Sequence, residues 1–206
     1  MVGSWLLVLV LAAALSAFAA SNDTLPGDVR VSGWVQDIPI GETLSDGVRT
    51  VTETEVVMAM GFAIAPVLWL RGHRRQALLL AGGLLALGLV EIGLKHLVDR
   101  PRPDPQLVDV RAEWSSSSFP SGHVMAGTFL YVLILYFALT LPFPRAAAWG
   151  LAAFAGFFVV MVGPVSVYLG VHWPTDVLGS WLWTSLLVSP VIALDAWLSR
   201  MPPRFL

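Results

Sequence analysis

The 206-residue chain contains no cysteine, which excludes disulfides and thiolate metal sites. It is also poor in charge: 13% of its residues are Asp, Glu, Lys or Arg, against roughly 25% in ordinary soluble domains. The 12 basic and 14 acidic residues leave a net charge of −2 with no block of one sign. That distribution argues against nucleic acid as a partner. No internal repeat stands out.

Apolar residues fill the space left by charge. They make up 56% of the chain, nine tryptophans among them, and the mean hydropathy is +0.74. The sequence therefore reads as an all-α, polytopic membrane bundle. About six transmembrane helices of roughly 20 residues, in a single membrane-embedded domain over 1–206, would use most of its length. The first apolar run, 4–20, is read as a retained helix, because no Lys or Arg precedes it as in a signal peptide; small residues near its end keep cleavage open. Further runs are expected at about 55–70, 77–98, 124–141, 146–164 and 177–198. Between the first two lies a polar stretch, 21–54, whose piece from Val35 to Val51 is expected to lie at the membrane interface. The prolines of 99–123 forbid continued helix there, and the serine run 115–118 reads as a flexible loop without a role.

Basic residues divide six against six between the two sides of such a bundle. Arg71, Arg74, Arg75, Arg145, Arg200 and Arg204 sit in short loops at helix ends or in the tail, where the positive-inside rule counts most. Those loops are assigned to the cytoplasm, and 21–54, 99–122 and 165–176 to the extracytoplasmic side of the plasma membrane.

That assignment brings three polar clusters to one face: "KHLVDRPRP" (95–103), "FPSGH" (119–123) and "VSVYLGVHWPTD" (165–176). Each has a plain reading alone. Lys95 can snorkel to headgroups, His123 can be an interfacial helix-start residue, and His172 with Asp176 can be a structural pair one turn apart. Together they suit phosphoryl chemistry, since ionisable groups at membrane depth are costly. Lys95 and Arg102 supply charge for phosphate oxygens. Ser121 and Gly122 open a helix whose free N–H groups attract anions. His172 is a candidate nucleophile, Asp176 its orienting partner, and His123 a candidate general acid. No carboxylate cluster suited to a divalent metal is seen on this face, so neither metal nor cofactor is expected. No nucleophile elbow surrounds Ser121, which argues against a serine hydrolase.

These residues resemble the type 2 phosphatidic acid phosphatase family, integral-membrane lipid phosphatases related to vanadium haloperoxidases. Lys95, Arg102 and Pro103 match its first motif (Lys, six residues, Arg-Pro). Pro120 to His123 match its second, Pro-Ser-Gly-His. His172 and Asp176 match the far end of its third motif (Ser-Arg, five residues, His, three residues, Asp). The resemblance implies a phosphohistidine on His172, His123 as acid, Asp176 orienting His172, and a phosphate cradle of Lys95, Arg102 and the Ser121–Gly122 backbone. The third motif departs at its start, where Val165 and Ser166 stand in place of Ser-Arg. Arg100 and Arg111 are the candidates to replace that arginine. The implied activity is hydrolysis of a lipid phosphate or diphosphate, with undecaprenyl diphosphate as one candidate. The alternatives are a pseudo-phosphatase that binds lipid phosphate and a lipid phosphotransferase.

Overall fold

The computed structural model describes residues 2–112, 114 and 116–200, so Arg204 and most of the tail lie outside the described residues. Eight helices follow in chain order: α1 (Val2–Ser21), α2 (Asp28–Gln36), α3 (Glu42–Thr52), α4 (Thr54–Leu70), α5 (Arg74–Val98), α6 (Gly122–Thr140), α7 (Arg145–Tyr168) and α8 (Pro174–Leu198). No strand occurs among the described residues.

Five helices (α1, α5, α6, α7 and α8) are long and apolar enough to cross a membrane. The expected second crossing, 55–70, forms as α4, but its 17 residues stop short of a full span. It qualifies only together with α3, from which it is bent by 54°. The break is at Glu53, whose extended backbone (φ −55°, ψ 135°) interrupts the helical hydrogen-bond ladder.

The 21–54 stretch folds as two helices, α2 and α3, both packed against the bundle, and the piece from Val35 to Val51 runs from the end of α2 through most of α3. α3 buries Ser45, Val48 and Thr52, spaced three and four apart on one face. Val48 joins Tyr131, Phe158, Val165 and Leu169 in a cluster with α6 and α7. The Tyr131 hydroxyl donates to the Val51 carbonyl at 3.1 Å. Gln36, ending α2, donates to the carbonyls of Asp109 (2.6 Å) and Tyr168 (3.2 Å).

α6 forms the axis of the bundle. In its most apolar stretch 67% of residues are buried, against 11% for α1, which lies outside against α8. Leu84 and Leu87 of α5, Val57 of α4 and Val188 of α8 close around Met125, Phe129 and Leu133 of α6. Away from the 99–123 loop, Asp195 of α8 accepts hydrogen bonds from Arg75 (2.7 Å) and Gln76 (3.0 Å) of α5 and from Tyr136 (2.9 Å) of α6. This buried clasp holds three helices at one end and leaves the other to carry the polar clusters.

Glycine sets the approach of α7 to α8. A Cβ on Gly163 would stand 2.6 Å from the Trp181 ring and 2.7 Å from Val177. Gly163→Val is therefore expected to destabilise by about 1–3 kcal/mol through overpacking. Gly156→Ala, which meets nothing within 4 Å, should stabilise slightly through helix propensity. Melting of the two variants in detergent checks the contrast.

Candidate active site

The three polar clusters meet at one end of the bundle, where α5 ends, α6 and α8 begin and α7 ends. Local sequence explains each placement. α5 stops at Asp99, which takes a left-handed conformation (φ 42°), and prolines 101, 103 and 105 keep the following chain irregular. α6 starts on Ser121, whose hydroxyl caps the Val124 N–H at 3.4 Å. α8 starts on Pro174, a residue suited to the first helical position.

His172 lies buried just before α8. Its Nε2 is 3.2 Å from an Arg102 guanidinium nitrogen. Arginine can only donate, so Nε2 carries the lone pair and the ring proton sits on Nδ1. That Nδ1 faces Asp176 Oδ2 at 3.7 Å, an ion-pair distance too long for a hydrogen bond. Burial pushes the His172 pKa down to about 4, with Asp176 opposing and Arg102 and Lys95 reinforcing the shift. The ring is thus neutral near pH 7.

Asp176 is fully buried and its carboxylate is engaged elsewhere. Oδ2 accepts from the Ser118 hydroxyl (2.5 Å) and the Trp173 N–H (2.9 Å), and Oδ1 from Arg100 (2.5 Å). Arg100 also donates to Thr175 (2.8 Å) and to Asp28 of α2 (2.7 Å). Both Arg100 and Asp28 side chains are fully buried. Arg100 therefore does not replace the missing third-motif arginine; its guanidinium is held between two carboxylates. Arg111 does not either. It pairs with Asp109 at 2.8 Å and stacks 4.1 Å over Tyr168.

Arg102 donates to the Ser116 carbonyl (2.8 Å), the Ser116 hydroxyl (3.1 Å) and the Val171 carbonyl (2.7 Å). Burial lowers its pKa to about 10, Asp176 opposing and Arg49 adding to the effect, so it stays charged. Lys95 turns toward the site and donates to the Ser117 carbonyl at 3.3 Å. The serine run is thus a structural part of the site, contrary to the sequence reading: Ser116 and Ser117 orient the cations and Ser118 holds Asp176. Ser115 lies outside the described residues.

The anion cradle at α6 is narrower than expected. The Ser121 N–H is taken by the Ser180 hydroxyl at 2.8 Å. The orphan N–H groups of the first turn are those of Gly122 and His123. The space where a Gly122 side chain would stand is occupied by Glu91 and Thr54, the latter 2.9 Å away. Packing against α5 and α4 therefore explains this glycine. His123 Nε2 is buried with no partner among the described residues. Its ring meets Trp114 edge-on at 5.0 Å. Both histidines line a small pocket of about 10 Å³, together with Arg49, Thr52, Trp114 and Ser166.

Lys95, Arg102, Ser121, Gly122, His123, His172 and Asp176 are thus brought to one end of the bundle. Asp28, Arg49, Trp114 and Ser118 were missed. Asp28 and Arg100 are 72 residues apart, and no spacing rule links such positions.

Comparison with known proteins adds relationships to this geometry. The sequence model of the PAP2 superfamily matches residues 76–200. Phosphatidylglycerophosphatase B of Bacillus subtilis (strain 168) is 41% identical over 109 residues, 52% of each protein. The decaprenylphosphoryl-5-phosphoribose phosphatase of Mycobacterium tuberculosis (strain ATCC 25618 / H37Rv) is 32% identical over 126 residues, 59% of this chain and 60% of that protein. The chain thus spans just over half the length of these curated relatives in the matched region. The crystal structure of a transmembrane PAP2 type phosphatidylglycerolphosphate phosphatase from Bacillus subtilis superposes with a TM-score of 0.77 at 27% identity, covering 96% of this chain and 98% of that one.

Removing Arg100 would leave two buried carboxylates without their shared counter-charge. Arg100→Leu is expected to cost about 3–5 kcal/mol, seen as a lower melting temperature in detergent. An unchanged melting temperature would show that Asp28 and Asp176 do not depend on it.

Proposed function

The chain belongs to the PAP2 superfamily, and from that premise we propose that it is a membrane lipid-phosphate phosphatase working through a phosphohistidine on His172. The observation that carries the reading is the neutral His172 ring, its Nε2 lone pair held beside the Arg102 guanidinium and its Nδ1 proton turned toward Asp176.

The steps follow from this arrangement. A substrate phosphate takes over donors of Arg102, with Lys95 and the Gly122 and His123 N–H groups sharing the charge. His172 Nε2 attacks phosphorus, and the bond from phosphorus to the lipid oxygen breaks. His123, entering the step as an imidazolium paired with the bound phosphate, gives the leaving oxygen its Nε2 proton and becomes neutral. Water then attacks the phosphohistidine, His123 takes a proton from it, and inorganic phosphate leaves with His172 restored. Asp176 holds the ring orientation and offsets the charge that develops on the imidazole. Transition-state charge is met by Lys95 and Arg102, so activity should persist in excess EDTA.

The substrate is proposed to be a lipid phosphomonoester or diphosphate. The names of the relatives favour testing phosphatidylglycerophosphate first, with undecaprenyl diphosphate beside it. The site is proposed to face the extracytoplasmic side of the plasma membrane, a reading supported by the arginines in the short loops at the opposite helix ends. A second reading, a protein that binds lipid phosphate without turning it over, is favoured by Ser166 alone. Its hydroxyl donates to the Val162 carbonyl at 2.7 Å and offers the site no charge. Lipid binding without phosphate release would select it.

Phosphate release by the purified protein should vanish in His172→Ala. In His123→Ala, kcat should fall about 10²–10⁴-fold, with a smaller loss on p-nitrophenyl phosphate, whose leaving group needs no proton. Equal losses on both substrates would remove His123 from the acid role.

The pH profile tests the nucleophile. Because the His172 pKa is lowered from 6.5 to about 4, the reactive neutral ring predominates above pH 4 and is lost below it. The acid limb of kcat/KM should therefore fall near pH 4. A limb near 6.5 would mean that His172 is not buried as described.

A further inference from the structure

Resting on the phosphatase reading, we propose that Arg49 of α3 is a third phosphate-binding cation of this site, delivering from the N-terminal segment the guanidinium absent at Ser166.

Arg49 lines the same cavity as His123, Ser166 and His172. Its guanidinium carbon stands 4.2 Å from the centre of the Trp114 ring. The edge-on contact of Trp114 with His123 spans 5.0 Å, and Arg102 stands 5.7 Å from the same indole. One aromatic ring thus gathers two guanidinium groups and the proposed acid.

Stacking on an indole steadies a guanidinium face but leaves its N–H donors unused. The Arg49 carbonyl accepts from the Thr52 hydroxyl at 3.3 Å, but its guanidinium makes no hydrogen bond or ion pair with any described residue. Arg102, by contrast, spends its donors on backbone carbonyls and on His172. A half-buried guanidinium facing a second cation across one ring is repelled by it and has no protein acceptor among the described residues. An anion bound in the cavity relieves both conditions.

The base of Arg49 is fixed. Val48 and Thr52, on either side of it, are each 1% exposed. Thr52 packs against the face of α6 at Gly127, where an added Cβ would stand 3.1 Å from it. Val48 packs with Val165, next to Ser166 on α7. The cavity is therefore reached from α3 and from α7. With a serine at 166 whose hydroxyl is turned back to Val162, α3 is the side that carries the charge.

The test compares Arg49→Ala, Arg49→Lys and the double variant Arg49→Ala/Ser166→Arg with wild type and His172→Ala, in detergent. Readouts are phosphate release from phosphatidylglycerophosphate and undecaprenyl diphosphate, melting temperature, and calorimetric titration with inorganic phosphate. Arg111→Ala serves as the control cation and should stay within about twofold of wild type, because a surface pair contributes little. Arg49→Ala is expected to lower kcat/KM about 10²–10³-fold at an unchanged melting temperature. Arg49→Lys should recover part of it, since an ammonium restores charge without the bidentate fork. Ser166→Arg in the Arg49→Ala background should recover at least tenfold.

Arg49→Ala within threefold of wild type, while His172→Ala is dead, overturns the role of Arg49 and leaves the phosphatase reading standing. A loss in Arg49→Ala that comes with a lower melting temperature and that Ser166→Arg does not relieve also overturns it. If wild type releases no phosphate from either lipid, the phosphatase reading fails, and the titration decides Arg49. At least tenfold weaker phosphate binding in Arg49→Ala upholds its binding role; equal or absent binding in both proteins ends it.

Discussion

A carboxylate buried at the start of α8 sets the terms for the rest of this end of the bundle. Asp176 is removed from water, and an isolated buried charge is far too costly to persist. The structure meets that demand with a hydroxyl, a backbone N–H and a guanidinium. Each donor belongs to a different part of the chain, so satisfying one side chain draws several segments together. Ser118 pins the loop ahead of α6, Trp173 starts α8, and Arg100 anchors the loop after α5. Arg100 then recruits Asp28, which ties α2 to the same point. α2 also packs on α7 and α8.

With its oxygens so occupied, Asp176 acts on His172 mainly through charge and orientation. The 3.7 Å separation permits attraction to an imidazolium without a hydrogen bond in the resting state. The imidazole is neutral because burial outweighs that attraction, and Arg102 and Lys95 push in the same direction as burial. Two cations beside a histidine would be unfavourable in a purely structural cluster. They make sense where an anion is to be bound and a neutral nucleophile is wanted. Arg102 has two parts in this picture, because it rests on the His172 lone pair and can exchange its present carbonyl and hydroxyl partners for a phosphate.

Much of this was legible in the primary structure. Apolar runs of about 20 residues are too long for ordinary strands and match the thickness of a bilayer as helices, and five of the six expected runs are full spans as they stand. Prolines at 101, 103 and 105 end α5 and keep the loop open, as their missing N–H groups require. Lys95, Arg102, His123, His172 and Asp176 were recognisable because each stands at the end of an apolar run, where a charged residue needs a reason to be. The exception among the helices is instructive. The run at 55–70 read as a span, but its break from α3 depends on Glu53, whose extended backbone no periodicity announces.

What the sequence by itself determined was the set of chemical groups and the order in which helices deliver them to one face. Only the tertiary structure decided which cations are free to act. Arg100 and Arg111 stand near the motifs in sequence, yet one is held between two carboxylates and the other lies on Tyr168 beside Asp109. Arg49 stands far from every motif and lines the cavity with both histidines. Charge acts through distance and solvation, and in a folded chain neither follows from sequence separation.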